Sequence, residues 1–254
     1  EIDKSKTMEI YIEEKPTGEI MAGAGVGTDG SMISFAVKEN NYLGRGIKLK
    51  SELNLSEERI DGIFSFTNPN FRNSDKSING NIQATEIDRL STSGYKSKKS
   101  GFGFGTSFEY QDDLFLGVNQ SSYHETIDTD GKASAQLKKQ EGNYFDTFIN
   151  FNFDYDKRNQ KFQTTEGFRS RYFLDLPVLS DTNTLSNTYT YKYFTELYEN
   201  NRSNFSIYLK SVDSITGDDV KLSERVFLPS RRLRGFENGK VWPKDGNDFI
   251  GGNY

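Results

Sequence analysis

The sequence predicts an all-β protein, an antiparallel transmembrane β-barrel of which about eleven strands are present in 254 residues. Three observations predict it. Apolar and polar residues alternate with a period of two along most of the chain. The composition is polar on average, with 33% hydrophobic residues and a mean hydropathy of −0.74, yet 14% of the residues are aromatic. Turn-forming residues separate the alternating runs, and the connections differ in length by parity.

The alternation is clearest from Tyr144 to Asp156. Phe145, Thr147, Ile149, Phe151, Phe153 and Tyr155 share one face; Tyr144, Asp146, Phe148, Asn150, Asn152, Asp154 and Asp156 share the other, which is mostly Asn and Asp. Successive strand side chains point to opposite faces. A face of Asn and Asp is poorly placed against a dry core, because unpaired polar groups are costly to bury. A wet lumen behind a lipid-facing wall removes the difficulty. The composition agrees: a disordered chain would lack the aromatics, and a soluble domain would be nearer 45–50% apolar, roughly. No stretch approaches the ~18 consecutive apolar residues of a membrane helix.

In chain order, Met8, Ile10 and Ile12 alternate before Lys15-Pro16-Thr17-Gly18 breaks the run, as in the last strand of a preceding domain. Ile20, Ala22, Ala24 and Val26 begin the barrel pattern, opposite Gly23, Gly25 and Gly27. Asp29-Gly30 is a hairpin signal. Runs follow around Ile33–Val37, Ile47–Leu55, Ile60–Phe66, Ile78–Ala84, Phe102–Tyr110, Leu114–Tyr123, Phe145–Tyr155, Phe168–Leu176, Tyr189–Leu197 and Phe205–Leu209. Gly44 and Gly46 bracket one turn, and Asn68-Pro69-Asn70 makes another, since proline cannot donate to a ladder. The odd connections fall near 29–30, 57–58, 88–94, 125–142, 178–184 and 213–250. The even ones fall near 40–45, 68–75, 111–113, 157–165 and 200–202. Outer-membrane barrels have short periplasmic turns and long outer loops, so the odd connections are expected outside the cell and the N-terminus towards the periplasm.

Tests for chemistry fail. The sole histidine, His124, lies where a strand meets a polar loop and reads as a rim residue. The glycines from Gly23 to Gly27 recur at every second position and are followed by another strand, so they do not form a dinucleotide loop. Asp128-Thr129-Asp130-Gly131 lacks the glycine and glutamate that a calcium loop needs, since those positions are Ala133 and Lys139. No cysteine is present. A net charge of −5, with the densest basic cluster at Lys96, Lys98 and Lys99, argues against nucleic acid. Neither an enzyme nor a cofactor or metal is expected.

Several segments resemble the outer-membrane barrel assembly factor family known as BamA. Lys15-Pro16-Thr17-Gly18 and the glycine-rich strand resemble the passage from the last POTRA domain into the first barrel strand. Asn41-Tyr42-Leu43-Gly44-Arg45-Gly46 and Thr67-Asn68-Pro69-Asn70-Phe71 resemble two of its turns. Leu233-Arg234-Gly235-Phe236 resembles the arginine-glycine-aromatic motif of the sixth extracellular loop, and Gly251-Gly252-Asn253 the start of the twelfth strand. The chain has Leu233 where the family has Val or Ile, and Trp242 where it has glycine.

The resemblance implies that residues 1–16 end a POTRA domain and that 17–254 form the first two-thirds of a sixteen-stranded barrel. It implies a factor that folds and inserts β-barrel proteins into the bacterial outer membrane. Its partners would be unfolded outer-membrane proteins, assembly-complex lipoproteins and the bilayer. A lateral gate would lie at Glu19, Ile20, Ala22, Gly23, Gly25 and Gly27; Gly44, Gly46 and Pro69 would be structural turns. Arg234 would pair inside the lumen with acids on strands beyond this chain. Arg234→Ala in the complete protein is then expected to loosen the loop and impair insertion, and unchanged heat-modifiability with normal client assembly would refute that. A related translocation or secretion barrel, or a passive outer-membrane channel, is the alternative.

Overall fold

The computed structural model describes residues 8–27, 30–131, 133–199, 201–228, 232–236, 241, 243–245 and 248–253. Eleven antiparallel strands form one meander in which each pairs with its sequence neighbours. They are β1 (Gly18–Gly27), β2 (Gly30–Tyr42), β3 (Ile47–Ser56), β4 (Arg59–Asn68), β5 (Lys76–Arg89) and β6 (Tyr95–Gln111). Then come β7 (Leu114–Thr129), β8 (Gly142–Asp156), β9 (Gly167–Ser180), β10 (Thr184–Tyr198) and β11 (Asn201–Ser214). The other described elements are short: helices α1 (Leu90–Ser93) and α2 (Ala135–Lys138), a 3-10 turn at Phe71–Asn73, and the small hairpin β12 (Lys244–Asp245) and β13 (Asp248–Phe249). The expected count of eleven strands and their order are therefore found.

Register fixes the two faces. Phe64, Ile82, Phe102, Ser122, Thr147 and Leu179 are successive partners on the outer face. The outer face is apolar and exposed, with Ile82 64% and Phe104 60% accessible. That suits lipid and would suit nothing in water. The inner face carries Asn79, Asn81, Gln83, Asn119, Asn150 and Asp175, which line a cavity of 720 Å³. Residues from Arg59 on β4 to Lys210 on β11 line the same cavity, so the sheet curls around it.

Two inner-wall features need explanation. Near the ends of β8 and β9, Arg169 donates to Asp154 (2.9 and 2.5 Å) and Arg158 to Asp156 (2.7 Å), so the wall largely neutralises its own charge there. On β6, Gly101, Gly103 and Gly105 face inward. The Asn81 and Asn119 side chains and the Tyr123 ring lie where their Cβ atoms would be. Without side chains at these points β6 lets its neighbours close over it. At Gly44 (φ 69°) and Gly46 (φ 66°) the β2–β3 turn takes left-handed conformations, and the Gly46 N–H donates to Asn41 Oδ1 at 2.6 Å. After Pro69, Arg72 and Asn73 take up the left-handed bend, and Ser74 Oγ donates to the Phe71 carbonyl.

Buried apolar residues gather at the rim bearing the odd connections. Tyr95, Ala133, Leu137 and Leu222 form one cluster, with Phe227 and Ile250 against it; Val212, Val220 and Val226 form a second. Both depend on the long segment after β11, residues 215–253, here called the strap.

The structure corrects the reading of residues 125–129 and of His124. β7 runs to Thr129, so residues 125–129 are wall and not connection. His124 therefore sits within a strand on the outer face, exposed and opposite Ser100 and Phe145. The strap is not plain loop, since it holds the hairpin β12–β13. Residues 8–17 form no strand in this chain; Met8, Ile10 and Ile12 are exposed, and the Thr17 carbonyl accepts from the Asn40 N–H at 3.2 Å.

Candidate functional site

The gate residues named from the sequence all lie in β1. Ile20, Ala22 and Ala24 share the outer face with Val37, Phe35 and Ile33; Glu19, Gly23 and Gly25 face inward. β1 ends the sheet, and its far edge pairs with no described strand. Backbone groups on such an edge are a template for another strand. Close approach does not explain the glycines: a Cβ at Gly23 or Gly25 would meet nothing within 4 Å. What remains is the weaker pairing of glycine in a strand.

The strap begins at the other end of the sheet. Lys221 within it is buried beneath the rim, its side chain 1% accessible. Its ammonium donates to Asp146 Oδ2 of β8 at 2.5 Å and lies 3.0 Å from Glu125 Oε2 of β7. Glu224 stands 3.4 Å away, and the Tyr144 ring lies 5.0 Å beneath. The carboxylates are held in turn. Ser97 and Ser223 donate to Glu125 at 2.6 and 3.0 Å, and Ser180 and Thr182 donate to Asp146. Burial would push the Lys221 ammonium towards its neutral form. Glu125 above all, then Glu224 and Asp146, outweigh that and raise its pKa above the ordinary lysine value. Beside this group, the Gln140 side chain accepts from the Leu222 N–H at 2.6 Å and donates to the Val220 carbonyl.

The return leg of the strap is also fixed. Val226 and Gly252 exchange backbone hydrogen bonds of 2.8 and 3.0 Å, and the Val212 N–H of β11 donates to the Asn253 carbonyl at 2.7 Å. That contact puts Asn253 beside β11, where the sequence expects a twelfth strand to start. Between the legs, the Arg232 guanidinium lies 3.4 Å from the centre of the Tyr208 ring on the inner face of β11.

Arg234, Gly235 (φ 89°) and Phe236 follow and are exposed. Arg234 pairs with no described residue. Trp242 lies outside the described residues. Sequence reasoning missed Lys221, Glu125 and Asp146 as a unit. The partners are 75 or more residues apart in sequence, and only burial marks them.

The described legs of the strap are thus tied to the barrel wall, and β1 stands at the far end of the sheet. The Omp85 superfamily domain matches residues 41–254. The chain is 22% identical over 253 residues to the outer membrane protein assembly factor BamA of Neorickettsia risticii, matching 97% of this chain and 34% of that protein. The fold is similar to the crystal structure of BamA from Haemophilus ducreyi lacking POTRA domains 1–3. The TM-score is 0.80 at 19% identity, over 95% of this chain and 52% of that one. The chain therefore spans about a third of the curated relative and about half of the solved one. Strand meander, wet inner wall and matching domain agree: this chain belongs to the Omp85 superfamily and is a BamA-like segment of an outer-membrane β-barrel.

Proposed function

We propose that the chain is part of a factor that folds and inserts β-barrel proteins into the bacterial outer membrane, with β1 as a lateral gate. The observation that carries this reading is the make-up of β1: the strand is thinned by glycines that no described neighbour requires. In lipid an unsatisfied backbone group costs several kcal/mol. A client strand that adds to β1 removes that cost for both chains, by β-augmentation. The clients are unfolded outer-membrane proteins, the surrounding partners are the bilayer and assembly-complex lipoproteins, and no bond-breaking chemistry is required.

In this reading residues 1–16 end a POTRA domain in the periplasm, and 17–254 are the first two-thirds of the barrel. The odd rim and its strap face outward. The exposed apolar alternation of Met8, Ile10 and Ile12 supports the first assignment, because such a strand needs a sheet to join. The two longest connections, residues 130–141 and the segment after β11, lie on the odd rim, which supports the orientation.

Gly23→Val with Gly25→Val tests the gate. The space is open, so no clash is expected, while removing each glycine strengthens the strand by roughly 0.5–1 kcal/mol. In the complete protein, client insertion into liposomes should slow several-fold while the barrel remains folded. Insertion at the wild-type rate in that variant, or with β1 cross-linked to the closing strand, would refute the gate.

A further inference from the structure

The strap is clamped twice. Its entry leg is fixed by Lys221 against Glu125 and Asp146 and by Gln140 against Leu222. Its return leg is fixed by the Val226–Gly252 bridge, with Arg225 donating to the Ile250 carbonyl at 3.4 Å. Between these clamps, Arg232 reaches the inner wall and covers Tyr208.

We propose that Lys221 is a positioning residue: by tying the strap to β7 and β8 it sets where the Arg232–Phe236 stretch stands against β11, using partners that all lie within this chain. The hold comes from an ammonium set between buried carboxylates, while Arg234 is exposed. A lysine on a surface loop would lose its hold to water and salt; Lys221 is sealed from both. The inference rests on the proposed insertion role only for its last readout.

The test uses the complete protein in micelles, spin-labelled at Phe236→Cys and at Ser203→Cys, whose side chain is on the outer face of β11 and leaves the lumen clear. This chain has no native cysteine to interfere. The unmodified strap should give one narrow distance distribution. Lys221→Met should broaden it and speed trypsin cleavage after Arg232 and Arg234 about tenfold or more, as expected for local opening, while heat-modifiable migration stays normal. Lys221→Arg should restore the narrow distribution; if it behaves like Lys221→Met, charge pairing is not what holds the strap and the inference fails. If Lys221→Met does not fold, Asp146→Asn, which keeps the volume, should broaden the distribution in part. Wild-type distances in folded Lys221→Met or Asp146→Asn protein overturn the inference. Client insertion should fall in parallel with the broadening. If wild-type protein inserts no client while the distances still respond to Lys221, the proposed function fails and the positioning role stands.

Discussion

Asp146→Ala should release the strap from the barrel wall and cost about 3–5 kcal/mol, the usual penalty for removing one member of a buried ion pair. The size follows from what is left behind. Lys221 would keep Glu125 but lose its 2.5 Å acceptor, and Ser180 and Thr182 would lose theirs, all in a site closed to water. Hydrogen exchange at Val220–Val226 in the complete protein reports the release directly. The quadruple variant Lys221→Met, Glu125→Gln, Asp146→Asn, Glu224→Gln should recover most of the loss, because it leaves no uncompensated charge in the cluster. Failure to recover would mean that the cost lies in packing of Leu222 and Val220 and not in charge. The same latch has an alkaline limit. The folded pKa of Lys221 is raised above its ordinary 10.5. Its stabilisation is therefore complete below that value and is lost as pH rises through the higher folded pKa. The strap should stay closed through neutral pH and loosen only above about pH 10.5, and loosening near pH 8 would contradict the assignment.

The second large effect is expected at Gly101→Val on β6. A Cβ there would overlap the Ser122 carbonyl and the Tyr123 ring, and would sit 3.1 Å from the Tyr123 Cα. Two of these three are backbone atoms or held by them, so the β6–β7 ladder must shift. Overpacking costs about 1–3 kcal/mol and occasionally more; a clash with paired backbone belongs at the upper end. The folded fraction, read from heat-modifiable migration, should drop sharply, while Gly23→Val, with open space, should migrate normally. Equal behaviour of the two variants would show that the β6 glycines are not needed for curvature.

Most strands were legible because a barrel wall writes lipid and water on alternate residues. Between Tyr144 and Asp156 only Tyr144 and Phe148 on the polar face and Thr147 on the apolar one interrupt that signal. It fails above the lipid, where both faces are wet. Ser122, His124 and Thr126 point outward and Ser121, Tyr123 and Glu125 inward, so polarity no longer alternates and β7 appears to end early. Glu125 then reads as a loop acid. The strap is harder still: Lys221, amid Asp218, Asp219 and Glu224, has the composition of a solvated loop, and its burial is set by residues on β7 and β8. The arginine motif shows the opposite case, a pattern recognisable by resemblance with no partner among the described residues.

A barrel wide enough to hold water is also a hole in a permeability barrier. The strap changes that balance, because it crosses one mouth from β11 to β6 and packs Leu222, Val220 and Phe227 across it. Loosening the latch in the complete protein is therefore expected to raise the leak of small hydrophilic solutes through the barrel.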